Sequence, residues 1–104
     1  MRDLAALPKV HLHVHLEGTI RPSTLLEIAA RHGATPPENL RDGRFTFVDL
    51  AAFFGDYQRV RECIQDAEDF RRIAYELCED EAKQGVRYVE VGRASCRERV
   101  SLTV

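Results

Sequence analysis

The chain lacks several features that define particular classes of protein. It contains no tryptophan, and its three cysteines, Cys63, Cys78 and Cys96, form no C-x-x-C pair. Because an odd and scattered set of cysteines argues against a disulfide framework, we expect reduced thiols. No stretch approaches the roughly 20 apolar residues that a membrane-spanning helix requires, and residues 1–8 lack the apolar segment of a signal peptide. These absences predict a cytoplasmic protein that does not contact a membrane.

The chain also lacks an excess of charge of one sign. Its 15 Lys and Arg residues nearly balance its 17 Asp and Glu residues, the formal net charge is −2, and the two signs are interspersed. Such a surface has no field that attracts nucleic acid, so a small neutral molecule is the expected partner. The 44% hydrophobic and 31% charged residues are typical of a globular domain with a modest core. The sequence does not indicate an oligomeric state.

An alternation of polar and apolar residues over positions 9–16 predicts a β-strand. One face would carry Lys9, His11, His13 and His15, and the other would carry Val10, Leu12, Val14 and Leu16. Three imidazoles are unusual on a strand that faces solvent, so we expect the polar face to line a cavity.

The middle of the chain has the apolar spacing of amphipathic helices. We predict helices in three segments: residues 22–32, a segment with its N-cap at Asp49, and a segment from about Asp66 to a stop at Gly85. Residues 34–44, which contain Pro, Asn and Gly, predict a surface loop. We interpret the helical aromatic residues Phe53, Phe54 and Tyr57 as core, with the apolar wall of a ligand pocket as the alternative. The charges of residues 79–81 are interpreted as a solvated helix surface.

A β-branched strand, Val86–Val91, follows the last helix. The order strand, helices, strand is typical of a parallel α/β unit, in which ligands bind at the carboxyl ends of the strands. His13, His15 and Glu17 therefore belong to the expected functional rim.

The closely spaced histidines predict a metal site. Two histidines separated by one residue on a strand point the same way, so two imidazole nitrogens can reach one ion. Neutral imidazole suits transition ions, zinc first, better than magnesium or calcium. Spacing alone does not decide whether the pair is His11 with His13 or His13 with His15.

A family resemblance adds to this interpretation. Residues 7–10, Leu-Pro-Lys-Val, followed by His13-x-His15-x-Glu17-Gly18-Thr19 resemble the opening signature of the adenosine deaminase family, which includes adenosine, adenine and aminofutalosine deaminases. The helix at residues 22–26, the aromatic residues around Phe53 and Tyr57, and residues 80–91 resemble the same family in the same order. The similarity covers residues 5–91.

The resemblance implies an α/β fold, the N-terminal portion of a (β/α)₈ TIM barrel of the metal-dependent hydrolase type. A whole barrel takes about 250 residues, so the barrel is incomplete in this chain, and residues 1–91 form the N-terminal part of an adenosine deaminase domain. The family's remaining zinc histidine, its proton-donating glutamate, its water-steering histidine and its late aspartates have no counterpart here. We therefore expect no catalytic residue within these 104 residues.

The resemblance also assigns roles to individual residues. His13 and His15 fall on the family's zinc ligands, whereas His11 occupies a position that is more often acidic and has no assigned role. His11 either orients a ligand or packs in the barrel. Glu17 falls on the family's substrate-contacting carboxylate, and its alternative role is a carboxylate that ends the strand and caps the turn at Gly18. Independently of the resemblance, Gly18 allows close backbone approach to a ligand. The alternative for Gly18 is a turn that requires positive φ.

The expected function is zinc-dependent hydrolytic deamination of a purine nucleoside or base in a full-length parent protein, with adenosine converted to inosine and ammonia. The alternatives are adenine and aminofutalosine, because Glu17 stands where adenosine deaminases often have aspartate. A small non-catalytic metal-binding or interaction module is the alternative from another class. Two imidazoles do not complete a catalytic zinc site, so we expect the chain itself to be inactive.

The sequence of residues 92–104 does not continue the resemblance to the family. Gly92 stands where the family continues with arginine, and the string Gly-Arg-Ala-Ser-Cys-Arg-Glu-Arg-Val that starts there resembles the translation of a sequencing-adapter oligonucleotide. We predict that residues 92–104 are a non-native tail, and on that hypothesis Cys96 is not a metal ligand.

Overall fold

The computed structural model describes residues 3–38, 40, 41, 44–93 and 100–104. Cys96 lies outside these ranges. The helices and longer strands run in the order β1 (Lys9–His15), α1 (Pro22–His32), β2 (Leu40–Arg41), β3 (Arg44–Phe45), α2 (Leu50–Cys63), α3 (Ala67–Lys83), β4 (Val86–Gly92) and β5 (Val100–Thr103). Short 3₁₀ turns occupy Leu4–Ala6 and Leu16–Thr19. No helix within the described ranges is long and apolar enough to cross a membrane.

The central sheet has the strand order β1-β4-β5. β1 and β4 are parallel, which confirms the predicted α/β unit, and the three helices lie between them in the chain. β5 instead pairs antiparallel with β4. A parallel neighbour needs a crossover connection of roughly a dozen residues or more, and only residues 93–99 separate β4 from β5.

Strand β1 does not keep the regular alternation predicted for it. Its register with β4 shifts between His11 and Val14, and His13 has a φ of 57°, in the left-handed region. The irregularity reverses which residues face α3. His11 reaches that helix before the shift, and Val14 is buried against it after the shift. The prediction that His11 shares a face with His13 and His15 is therefore wrong.

The helix predictions agree closely with the structure. α1 ends at Gly33, whose φ of 65° makes it a left-handed C-cap. α2 begins after Asp49, whose side chain accepts a hydrogen bond from the Ala52 N–H. α3 begins with a capping box between Asp66 and Asp69. The predicted loop over residues 34–44 differs in one respect, because β2 and β3 form a two-stranded antiparallel ribbon within it.

The core has two parts on the helix-covered side of the sheet. The larger part joins α1, α2 and α3, with Leu25, Cys63 and Ile73 fully enclosed. The smaller part packs Leu77 of α3 against Val14 and the valines of β4. Val10 and Leu12, from the apolar set of the predicted strand, are 62% and 60% exposed, because no described residue covers the opposite side of β1.

The acidic residues 79–81 are not a simple solvated surface. Glu79 and Asp80 pair with Arg21, at 3.1 and 2.8 Å. Glu81 is buried at 7% exposure and faces β1. These residues tie α3 to the segment that carries the functional rim, so the prediction of a solvated surface is corrected.

Candidate metal and substrate site

His13 and His15 lie side by side where β1 ends. Their ring centroids are 5.3 Å apart and the rings are inclined by 47°. Their rings make no hydrogen bond to any described side chain, so the ring nitrogens are available to a ligand. Two free imidazoles at this separation fit two ligands of one transition ion. A catalytic zinc site needs a third protein ligand, and the described residues place none beside this pair.

The backbone of His13 is held in its unusual conformation from β4. The His13 N–H donates a 3.0 Å hydrogen bond to the Glu90 carboxylate, within the register shift between β1 and β4. A left-handed non-glycine residue costs of order 1–3 kcal/mol and persists only where the surroundings enforce it. Sequence reasoning missed Glu90, although a carboxylate within an apolar strand was the available signal.

His11 is separate from the pair. Its Nδ1 lies 2.7 Å from the Glu81 carboxylate on α3, and 52% of its side chain is exposed. The structure therefore places His11 in a contact between strand and helix and not beside His13 and His15. Its pairing with the buried Glu81 favours the packing role over the role of orienting a ligand.

Glu17 is the most buried acidic residue near the pair. It lies in the 3₁₀ turn that follows β1, it is 1% exposed, and its Oε1 is 3.3 Å from Arg93 Nε. The Arg93 guanidinium also stacks over the Phe70 ring at 4.4 Å. A carboxylate this deeply buried requires partners, because an unpaired buried charge is strongly unfavourable. Arg93 belongs to the segment that we predict to be non-native.

A cavity of about 170 Å³ opens beside this turn. Its wall combines two acidic residues with apolar and aromatic side chains: Glu17, Gly18, Ile20, Phe45, Phe47, Phe53, Asp56, Tyr57 and Val60. Phe53 and Tyr57 thus line a cavity, and Phe54 is 60% exposed, so the interpretation of these aromatic residues as core is wrong. The aromatic face of α2 is partly covered, because Phe47 contacts the Phe53 ring while Phe54 stays largely exposed.

Gly18 and Tyr57 meet at the cavity wall. Gly18 is not among the residues with positive φ, which excludes the positive-φ interpretation of its turn. A Cβ at Gly18 would lie 3.5 Å from the Tyr57 ring, an ordinary contact. The Tyr57 hydroxyl is buried and has no hydrogen-bond partner among the described residues. Burial, together with the nearby Glu17 charge, raises the pKa of Tyr57, so the phenol stays protonated.

A second cluster of potential metal ligands lies away from this rim. His32, Asp66 and Asp69 bring three such atoms within 4.8 Å of one another. The Asp69 carboxylate, however, already accepts hydrogen bonds from the Gln65 N–H and from Arg31, and its Oδ2 lies 2.7 Å from His32 Nε2. These partners satisfy the carboxylate and neutralise its charge, so the cluster is a helix cap that joins α1 to α3.

The chain is similar in sequence to members of one protein family. The family model for adenosine deaminase matches residues 8–96. An aminodeoxyfutalosine deaminase from Streptomyces coelicolor is 45% identical over 92 residues, which are 85% of this chain and 24% of the relative. An adenosine deaminase from Gallus gallus is 42% identical over 91 residues, covering 81% of this chain and 26% of that protein.

A solved structure agrees with these matches. The crystal structure of adenine deaminase from Arthrobacter aurescens superposes with a TM-score of 0.67 at 32% identity, over 79% of this chain and 26% of that one. The chain spans about a quarter of the length of the relatives it matches. The matched part carries the parallel β1–β4 pair, so the fold is the N-terminal portion of a (β/α)₈ barrel. From its sequence, its fold and the paired histidines at its strand end, the chain belongs to the adenosine deaminase family.

Proposed function

We propose that this chain is the first part of a longer enzyme that hydrolytically removes the amino group of a 6-aminopurine, with adenosine as substrate and zinc as cofactor. The observation that carries the proposal is the pair of free imidazoles, His13 and His15, at the carboxyl end of β1. In parallel α/β barrels this end of the strands is where the chemistry takes place. The names of the three relatives support deamination as the reaction class.

His13 and His15 would supply two nitrogen ligands to the metal, and later parts of the longer protein would supply the others. Bound zinc lowers the pKa of water toward neutrality, which provides a hydroxide nucleophile without redox chemistry. The positive φ of His13 and its backbone hydrogen bond to Glu90 set the direction of its ring. Fixing the ligand orientation before the metal binds reduces the conformational freedom lost on binding.

Glu17 and Gly18 would contact the substrate. Both line the cavity beside the strand end, and the Glu17 carboxylate is an acceptor for a hydroxyl or amino group. The absence of a side chain at Gly18 keeps the cavity open next to Tyr57. Small-molecule sites typically have volumes of about 300–1,000 Å³. The cavity of about 170 Å³ is smaller than this range, so its lining residues would form one wall of a site that the longer protein completes.

The substrate has three candidates, each represented by the name of a relative. Adenosine is our first choice. Aminodeoxyfutalosine is the second candidate, because the relative of that name shares 45% of the aligned residues and Glu17 stands where adenosine deaminases often have aspartate. Adenine is the third, from the solved structure.

The test is to express the full-length gene product and to follow the ultraviolet absorbance of adenosine, adenine and aminodeoxyfutalosine with equimolar zinc. We expect steady deamination of adenosine, which a chelator abolishes and zinc restores. His15→Ala should lose both activity and bound zinc, whereas the exposed Tyr75→Ala serves as the control. Deamination of none of the three compounds by a folded, zinc-loaded protein would reject the proposal.

A further inference from the structure

Strand β1 carries a bulge directly opposite Glu90. In the register of the two parallel strands, two consecutive residues of β1, Leu12 and His13, stand opposite the single residue Glu90 of β4. Two residues opposite one define a β-bulge, a feature that changes the direction of a side chain and is common next to active sites. The bulge includes His13, so it bears directly on the direction of that ring.

A second irregularity, where the pairing begins, compensates for the bulge. Lys9 pairs with Val86, whereas the next residue, Val10, pairs with Tyr88. β4 therefore has one extra residue at that point, Arg87. Because each strand has one extra residue, the ladder has the same offset at both ends, and only residues 10–12 are slipped by one position. We call this the slipped arrangement. A slip of one residue turns each side chain to the other face of the sheet.

An uninterrupted ladder is the alternative for this segment, since both of its ends already have the matching register. It would turn Val10 and Leu12 toward the helices, on the side where Val14 is buried, whereas both are more than half exposed in the slipped arrangement. It would also give His13 an extended backbone in place of its φ of 57°. Apolar burial and relief of a left-handed φ both favour the uninterrupted ladder, so other contacts must hold the slipped arrangement.

Two carboxylates supply these contacts. Glu90 accepts the His13 N–H at 3.0 Å, within the bulge itself. Glu81 of α3 lies 2.7 Å from His11 Nδ1, a contact that requires His11 to face the helices. A hydrogen bond to a carboxylate is stronger than one between neutral groups. Of the two carboxylates, Glu90 is the one that contacts the backbone of a proposed metal ligand.

We propose that Glu90 is a positioning residue for His13, on which it acts through the backbone: its carboxylate holds the bulge, and the bulge directs the His13 ring toward the side of His15. This assignment rests on the proposed function. The distance of 5.3 Å between the two ring centroids belongs to the slipped arrangement. Without the Glu90 carboxylate, β1 returns to the uninterrupted ladder and the His13 ring changes direction. Glu90 is not itself a metal ligand in this assignment.

The first test measures the zinc dissociation constant of the full-length protein by competition with a chromophoric chelator. Glu90→Leu should weaken zinc binding by about tenfold, as is typical when a group that orients a metal ligand is lost. Glu90→Gln keeps an acceptor oxygen of the same reach and should bind zinc within about threefold of the wild type. Glu68→Leu makes the same change at an exposed glutamate of α3 and is the control. Wild-type affinity in Glu90→Leu contradicts the assignment.

The second test measures the register of β1 and needs no metal. Leu12→Cys places a thiol at a position that is 60% exposed in the slipped arrangement and faces the helices in the uninterrupted ladder. Its rate of reaction with a maleimide, followed by peptide mass spectrometry of the 104-residue chain, should fall by about fivefold when Glu90→Leu is added, because a covered thiol reacts only through local opening. Adding Glu90→Gln should leave the rate unchanged.

The two tests separate this assignment from the proposed function. An unchanged thiol rate in the Glu90→Leu background shows that Glu90 does not hold the bulge and overturns the assignment, whatever the zinc measurements give. A full-length wild-type protein that binds no zinc rejects the proposed function, and the thiol rate still decides the role of Glu90 in the bulge. If the short chain does not fold with these substitutions, the zinc competition on the full-length variants decides.

Discussion

At the scale of single residues, the candidate metal site combines a ligand role with backbone strain at His13. Its left-handed φ of 57° is unfavourable for histidine, whereas asparagine adopts this region more readily. We expect His13→Asn to be more stable than the matched His15→Asn by about 1 kcal/mol in denaturant unfolding of the 104-residue chain. Both variants should lower the zinc content of the full-length enzyme. Equal stabilities would show that the conformation of His13 is not strained.

Asp69 provides a residue-scale prediction about acid stability. Burial alone would raise its pKa, but hydrogen bonds from the Gln65 N–H, from His32 and from the Asp66 N–H, together with the Arg31 charge, leave the pKa of Asp69 below its ordinary value. Because the pKa of Asp69 is lower in the folded state than in the unfolded state, where it is about 4, the ionised carboxylate stabilises the fold at pH values above about 4. This stabilisation is lost as the pH falls through the pKa of the folded state.

Thermal unfolding between pH 7 and pH 3 measures this contribution. Asp69→Asn should lower the melting temperature at pH 7, and its melting temperature should fall less than that of the wild type below about pH 4. Glu68→Gln changes an exposed carboxylate on the same turn and is the control that keeps the wild-type acid profile. A parallel acid profile for Asp69→Asn and wild type would show that the cap does not depend on this charge.

At the scale of secondary-structure elements, the turn between α3 and β4 sets the position of β1. Gly85 has a φ of 79°, and a Cβ there would lie 2.7 Å from the carbonyl oxygen of Ala5 and 2.9 Å from that of Leu7. The Lys9 N–H also donates to the Gly85 carbonyl at 3.0 Å. A side chain at this position would therefore displace the segment that leads into β1.

Gly85→Ala should destabilise the chain well beyond the about 1 kcal/mol expected for a left-handed alanine alone. Gly33→Ala is the matched control, because its φ is 65° but a Cβ would meet nothing within 4 Å. Urea unfolding of the two variants measures the difference, which is the contribution of the close backbone approach. Equal losses of stability would mean that only φ matters at Gly85.

The boundaries of the secondary-structure elements could be predicted from the sequence better than the side-chain directions in β1. The α1 and α3 boundaries follow from local signals, Gly33 as a C-cap and Asp66 as an N-cap, which act within one turn of helix. The side-chain directions in β1 do not, because the Glu90 contact that supports His13 comes from β4, far along the chain. The family signature predicted His13 and His15 as the ligand pair, whereas alternation alone did not decide between His11 and His15 as the partner of His13. The structure places His11 against Glu81.

At the scale of the whole molecule, the proposed function gives this chain two of the ligands that a catalytic zinc requires, His13 and His15. We therefore expect the purified 104-residue chain with zinc to leave the absorbance of adenosine unchanged under conditions in which the full-length enzyme consumes it. Equal zinc loading of both preparations, measured by atomic absorption, is the control. Steady loss of adenosine with the short chain alone would contradict the two-ligand interpretation.

The antiparallel β5 is relevant to the prediction that residues 92–104 are non-native. Every strand of a (β/α)₈ barrel is parallel to its neighbours, and β5 is not. Resequencing across codon 92 should reveal an open reading frame that continues past codon 91 into a further histidine and paired aspartates. A genuine stop after codon 104 in an intact locus would instead favour a small independent module.

The uncovered side of β1 affects the solubility of the isolated chain. Val10 and Leu12 point their apolar side chains to solvent from a strand that has a described neighbour only on its β4 side. An exposed strand edge bordered by apolar residues is a template for another copy of itself. The isolated 104-residue chain should therefore precipitate increasingly as its concentration rises. Leu12→Lys should reduce this precipitation.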